Sequence, residues 1–193
     1  MKKYSVDLNE AFFHGLAGLE VSFVMYPKTA LYISMIKLDS ILKHKGIYSR
    51  EKMKELNIYY LPEFSYHLNF ADVDMTNSYV SVCKKMKRIE DTAFEEFIDG
   101  KISIALSSDI TQKYNFRNKI NYFPDLGEEQ VLGSIGIDEF IAIVVDIKDE
   151  KYREISRTKI SELLKRYKCN QIPITDINGN QLVVPSHKME KER

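Results

Sequence analysis

Phe140-Ile-Ala-Ile-Val-Val-Asp146, fully apolar up to its closing aspartate, reads as a strand. It follows closely on a second β-type segment, Asp125-Leu-Gly-Glu-Glu-Gln-Val-Leu-Gly-Ser-Ile135, in which a turn hands over to apolar residues from Glu128 onward. Lys101-Ile-Ser-Ile-Ala-Leu-Ser107 alternates as a strand does, and Ser78-Tyr-Val-Ser-Val82 has the β-branched and aromatic content of one. Helical spacing takes over elsewhere. Within Asp149 to Lys168, Ile160, Leu163, Leu164 and Tyr167 fall at i, i+3, i+4 and i+7. Arg88 to Asp99 carries Ile89, Ala93, Phe94, Phe97 and Ile98 on one side. Strands clustered between helices predict an α+β fold rather than the regular alternation of a doubly wound sheet.

The first fifty residues are read as follows. Thr29-Ala-Leu-Tyr-Ile-Ser34 has the character of a short strand, and Leu38, Ile41 and Leu42 then recur at helical spacing with Asp39-Ser40 in the first turn. Gly46 is expected to end that helix as a left-handed cap, and Ser49 to cap a second helix from Arg50 to Leu56. Residues 57–77 are irregular and aromatic. Near the end, Ile172–Ile177 and Gln181–Val184 form a predicted hairpin through Asn178-Gly179.

A chain of 193 residues that is 44% hydrophobic buries one sizeable core, so a single domain is expected over residues 1–187, with a charged tail at 188–193. The 28 basic residues balance 28 acidic ones, which disfavours binding driven by bulk attraction to nucleic acid or anionic lipid. Lys84-Lys85-Met-Lys87-Arg88 is the best local basic patch, read either as a solvated segment or as a phosphate grip. Cys83 and Cys169 have no partners at metal-ligand spacing, so no metal site is expected, and a reducing cytoplasmic location follows. No run reaches the length of a membrane span, and neither GxGxxG nor GxxxxGK[ST] occurs.

Glu128 and Glu129 are the candidate chemical groups. Carboxylates at the mouth of a strand are held by a rigid scaffold and suit the stabilisation of a cation or the removal of a proton. An ordinary surface turn would place solvated glutamates there too. Side chains alternate along a strand, so only one of the two faces a given cleft. Gln130 beside Glu128 marks that face as the wet one, which favours Glu128 over Glu129.

Leu31-Tyr-Ile-Ser34, followed by Leu38-Asp-Ser-Ile-Leu-Lys-His-Lys-Gly-Ile-Tyr-Ser-Arg50, resembles the opening of ADP-ribosyltransferase-fold proteins, with DarT-type DNA ADP-ribosyltransferase toxins among the nearest in pattern. Ser78-Tyr-Val-Ser-Val82 is similar to the family's strand with an aromatic or hydroxyl residue, and Gly127-Glu-Glu-Gln-Val-Leu-Gly-Ser-Ile135 to its strand opened by a catalytic glutamate. The resemblance spans roughly residues 29–147. Many members carry a His or Arg in the first strand, where this chain has Tyr32-Ile-Ser34. Phe13-His-Gly15 offers an alternative alignment. The family's glutamate usually stands directly before the Val-Leu pair, a place that Gln130 takes here.

The resemblance implies split β-sheets flanked by helices. It also implies NAD as a substrate, cleaved at the nicotinamide–ribose bond through an oxocarbenium-like state, with ADP-ribose passed to a protein or nucleic-acid acceptor in a toxin or phage–host conflict setting. In that frame Glu128 or Glu129 stabilises the cation, Tyr79 stacks on nicotinamide, and Ser81 or Ser34 bonds the ribose from strands that include Tyr32. Arg50 meets a phosphate or the acceptor. The competing readings are a non-catalytic binding or immunity module on the same scaffold, with a partner protein, and an unrelated α+β interaction domain. Ser34 as a helix cap and Tyr79 as a half-buried sheet aromatic are the plainer accounts of those two residues.

Overall fold

The computed structural model describes residues 4–16, 27–58, 78–84, 101–114, 116–118 and 128–183. Their elements in chain order are β1 (Phe12–Gly15), α1 (Pro27–His44), β2 (Gly46–Tyr48), α2 (Arg50–Glu55), β3 (Tyr79–Cys83) and β4 (Lys101–Leu106). There follow α3 (Ile110–Lys113), β5 (Phe116–Asn118), β6 (Glu128–Leu132), β7 (Ser134–Gly136), a 3-10 turn (Ile137–Glu139) and β8 (Phe140–Asp146). The last are α4 (Glu150–Arg166), β9 (Ile174–Thr175) and β10 (Gln181–Val183). The mixed α+β character agrees with the sequence reading. The helix expected over Arg88–Asp99, the aromatic segment from Tyr59 to Asn77 and the charged tail lie outside the described residues.

Eight of the described strands form one sheet in the order β10-β9-β8-β4-β1-β3-β6-β5, and β2 pairs with β7 in a second, small sheet. Among the described strands only β8 and β9 run parallel; α4 makes the crossover between them, as a parallel connection requires. Ile102, Ile104 and Leu106 of β4 and Ile143 and Val145 of β8 enter one large core. Leu31, Met35, Leu38 and Leu42 of α1 and Ile160, Leu163 and Leu164 of α4 close it from above. Ile47 and Ile135 bring the small sheet onto the same core. The other face of the large sheet buries Ala11, Phe13, Ala105, Ala142 and Val144, with Val6 and Leu8 of the N-terminal segment packed against them.

Three local expectations are corrected. Residues 29–34 are not a strand but the first turns of α1, which begins at Pro27. Proline suits that position because the first helical N–H has no partner to lose. Leu31, Met35, Leu38 and Leu42 recur at i, i+4, i+7 and i+11, and this continuous stripe outweighs the local β character of Thr29, Tyr32 and Ile33. Asp39 and Ser40 therefore lie deep in the helix rather than in its first turn.

The left-handed residue that ends α1 is Lys45 (φ 60°), and Gly46 already belongs to β2. Gly46 is required for another reason. A Cβ there would lie 2.8 Å from the carbonyl oxygen of Ile135 across the small sheet. The expected strand from Glu128 to Ile135 is two strands in two different sheets, hinged at Gly133 with φ +82°. That turn is held from both sides: the Gly133 N–H donates to the Ser78 carbonyl at 2.8 Å, and the Ser49 N–H to the Gly133 carbonyl at 2.8 Å.

Other expectations hold. Ser49 caps α2, accepting from the Lys52 N–H at 3.3 Å. The helix expected from Asp149 begins one residue later, with Asp149 as its cap through the Tyr152 N–H at 3.0 Å. The β9–β10 hairpin is antiparallel, with Gly179 at φ +79°. Asp176 folds its loop, with one carboxylate oxygen accepting from the N–H groups of Asn178 at 2.9 Å and Asn180 at 2.8 Å.

Candidate functional site

The strand register decides which sequence candidates meet. β3 and β6 pair Tyr79↔Leu132, Val80↔Val131, Ser81↔Gln130, Val82↔Glu129 and Cys83↔Glu128. The Ser-Tyr-Val-Ser-Val segment and the glutamate strand are thus direct neighbours. On the other side of β3 lies β1, with Phe13 opposite Cys83. Continuing that antiparallel ladder by one residue sets His14 beside Val82. Alternation then puts His14, Val82 and Glu129 in one row across three adjacent strands. Their shared face is the one on which Phe12, Val80, Val82 and Val131 join the large core.

Glu129 is 5% exposed. One carboxylate oxygen lies 2.6 Å from Lys84 Nζ, whose side chain is 58% exposed. Lys84 stands just past the end of β3 and also lines an open groove of about 660 Å³. The groove's other walls are Ser5–Asn9, Phe13 and the turn at Ile177-Asn178. Those walls are anchored: the Val6 N–H donates to the Gly179 carbonyl at 2.8 Å, the Gln181 N–H to the Tyr4 carbonyl at 3.2 Å, and Asp7 accepts from the Asn9 N–H at 2.9 Å. Lys84 is the single side chain joining the buried glutamate to this groove among the described contacts.

Tyr79 and Arg50 form a different locality, at the opposite end of β3. Tyr79 is half-buried opposite Leu132, itself 42% exposed. The neighbouring Ser78 hydroxyl donates to the Glu51 carboxylate, and Arg50 is the half-buried first residue of α2. From Leu132 back to Glu129 the chain runs three residues, about 10 Å along the strand. Alternation also sends Tyr79 and Glu129 to opposite faces of the sheet. Ser81 holds the middle of the ladder, opposite Gln130, and Glu128 the register position opposite Cys83.

The α1 candidates separate entirely. Tyr32 is 62% exposed and Ser34 is fully buried, both on the helix rather than on a strand of the sheet. Nor does Gln130 mark a wet face, because it is 2% exposed. Two residues matter more than the sequence suggested. The sequence offers His14 only within an alternative alignment, and Lys84 only as part of a basic run. The His-Gly pair was the signal available for the first; for the second nothing local announced a buried carboxylate partner.

Among the described residues no group of three or more His, Cys, Asp and Glu side chains is placed to hold a metal ion, and no helix is long and apolar enough to cross a membrane. Compared with known proteins, the sequence matches no family model and no curated protein.

Proposed function

We propose that this chain is an ADP-ribosyltransferase-fold protein that takes NAD as its substrate and transfers ADP-ribose to a protein or nucleic acid. The observation that carries the reading is the row His14–Val82–Glu129 across β1, β3 and β6. The two outer positions are separated by two strand spacings, about 10 Å between backbones, and flank Val82, which is itself fully buried in the large core. A glutamate in a water-poor setting on one side of a ribose stabilises an oxocarbenium-like centre electrostatically, and a histidine on the other side orients the sugar through its ring nitrogens. In this reading Glu129, rather than Glu128, is the acting carboxylate, and His14 takes the part first assigned to Tyr32 and Ser34. Lys84 neutralises the carboxylate until substrate displaces it to the exposed side. Tyr79 and Ser81, at the β3 positions that alternate away from Val82, and Arg50, on α2, fall outside this row and take no part in it. The toxin or conflict setting rests on the sequence resemblance alone.

The test is NAD turnover by the purified chain, alone and with a pool of DNA, RNA and lysate acceptors. It is run beside His14→Ala, Glu128→Gln and Glu129→Gln. Turnover lost in Glu129→Gln and kept in Glu128→Gln is the expected result. Loss in Glu128→Gln alone moves the chemistry to the other carboxylate. The Lys84–Glu129 ion pair favours a second reading, a non-catalytic binding or immunity module on the same scaffold. NAD binding without turnover in every sample would select it, and the absence of both binding and turnover would sink the NAD reading.

A further inference from the structure

Away from this site, Lys45 Nζ lies 3.0 Å from Cys169 Sγ. We propose that these two residues form an oxidation-dependent covalent cross-link, an oxygen bridge between the lysine nitrogen and the cysteine sulfur, reversible by thiols.

Both ends of the pair are fixed before any chemistry. Lys45 occupies the left-handed corner between α1 and β2, and its carbonyl accepts from the Ile137 N–H at 3.1 Å. Its ammonium also donates to the Tyr167 carbonyl, the same oxygen that Cys169 Sγ approaches at 3.3 Å. The Cys169 N–H donates to the Leu164 carbonyl at 2.8 Å, and its carbonyl accepts from the Ile172 N–H at 3.0 Å. An amine and a thiol held in contact by two anchored backbones meet without a conformational search. The sulfur is buried in the large core while Lys45 is exposed, so the solvent side of the pair is the lysine side.

The step balances with peroxide as the named oxidant. One peroxide converts the thiol to a sulfenic acid and releases water. A second removes one hydrogen from the sulfenic O–H and one from the lysine amine as the N–O bond forms, and leaves as two waters. Overall the pair gains one oxygen and loses two hydrogens, a four-electron oxidation that one dioxygen also supplies with release of one water. A direct sulfur–nitrogen bond would draw the two atoms together much further than an interposed oxygen does, which is why the bridged product is assigned. It would join residues 124 apart in sequence and tie the ends of α1 and α4, the two helices over the large core, so it restricts the unfolded chain as a long-range disulfide does.

The experiment treats the full chain with peroxide under native conditions and reads its intact mass and a peptide map, with and without later dithiothreitol. Expected are a gain of about 14 Da, a linked peptide pair containing Lys45 and Cys169, reversal by the thiol, and a raised Tm in the oxidised form. Lys45→Arg keeps the charge but lacks a primary amine, and should yield no cross-link. An unchanged mass overturns the proposal, as does a gain in steps of about 16 Da confined to Cys169, or a cross-link lighter by about 2 Da. The peptide map on the natural chain decides even if a variant folds poorly.

Discussion

The β4–β8 pair and the β3–β6 pair are both antiparallel ladders in one sheet, yet they are built to different ends. In the first, Ile102, Ile104, Ala105, Ala142, Ile143, Val144 and Val145 are buried, so both faces are apolar; Ser103 is the polar exception. In the second, Val80, Val82 and Val131 are buried on one face, but Glu129 and Gln130 are buried as well. A buried carboxylate and a buried amide are costly unless satisfied, so they weaken the ladder that carries them. One half of the sheet supplies stability, and the other spends part of it to hold polar groups out of water.

The sharpest way to break this comparison is to hollow out the apolar half. Ile143→Ala should cost about 2–5 kcal/mol, read by urea unfolding followed by far-UV circular dichroism, because it opens a cavity between two helices and the sheet. A cost under about 1 kcal/mol would mean that this half is not the stabilising one.

Next is the hairpin that shapes the groove. Gly179 has φ +79°, and a Cβ there would stand 2.0 Å from the Val6 carbonyl oxygen. Gly179→Ala should cost about 2–3 kcal/mol and release the N-terminal segment first. Hydrogen exchange should show faster exchange at Val6 and Gln181 while β4 and β8 stay protected.

In the polar half the order of effects matters more than their size. Lys84→Ala strands a buried carboxylate and should cost about 1–3 kcal/mol. Adding Glu129→Gln in the same chain should recover part of that loss, since the neutral amide no longer needs the cation. If the double variant is the less stable of the two, the pair is not the local liability inferred here.

The smallest effect is alkaline. Burial first, and then the hydrogen bond donated to Asp39 at 2.9 Å, raise the Tyr167 phenol above its ordinary value of 10.0. The folded state therefore holds that proton more tightly than the unfolded chain does. The contribution is full below the ordinary tyrosine range and is lost as pH rises through the folded value. Tyr167→Phe should flatten the fall of Tm on the alkaline side while leaving its neutral-pH slope unchanged.

Legibility followed the same division. The strands at 101–106 and 140–146 and the helix from 150 to 166 were readable because each writes its period in consecutive side chains. The cap at Ser49 was readable for a related reason, since a cap is a contact three residues long. Residues 29–34 misled because their local β character competed with a stripe that becomes visible only over the full length of α1. The break at Gly133 was hidden because a glycine within an apolar run does not say which sheet each side will join. At the candidate site, two of the segments singled out in the sequence are strands that pair, and the third, at residues 29–34, is helix.

Sequence alone thus determined the secondary-structure currency of this protein: an α+β chain with an apolar central strand, two glutamates opening another, and turns written in Ser, Asp, Asn and Gly. All of these are local interactions, spanning a few residues and repeated along the chain. Only the tertiary structure decided that β1 lies between β4 and β3, that His14 and Glu129 share a face, and that Lys84 neutralises the glutamate. The same holds for the contact of Lys45 with Cys169. These partners stand tens of residues or more apart, and it is strand order and register, set by how the whole core packs, that bring them together.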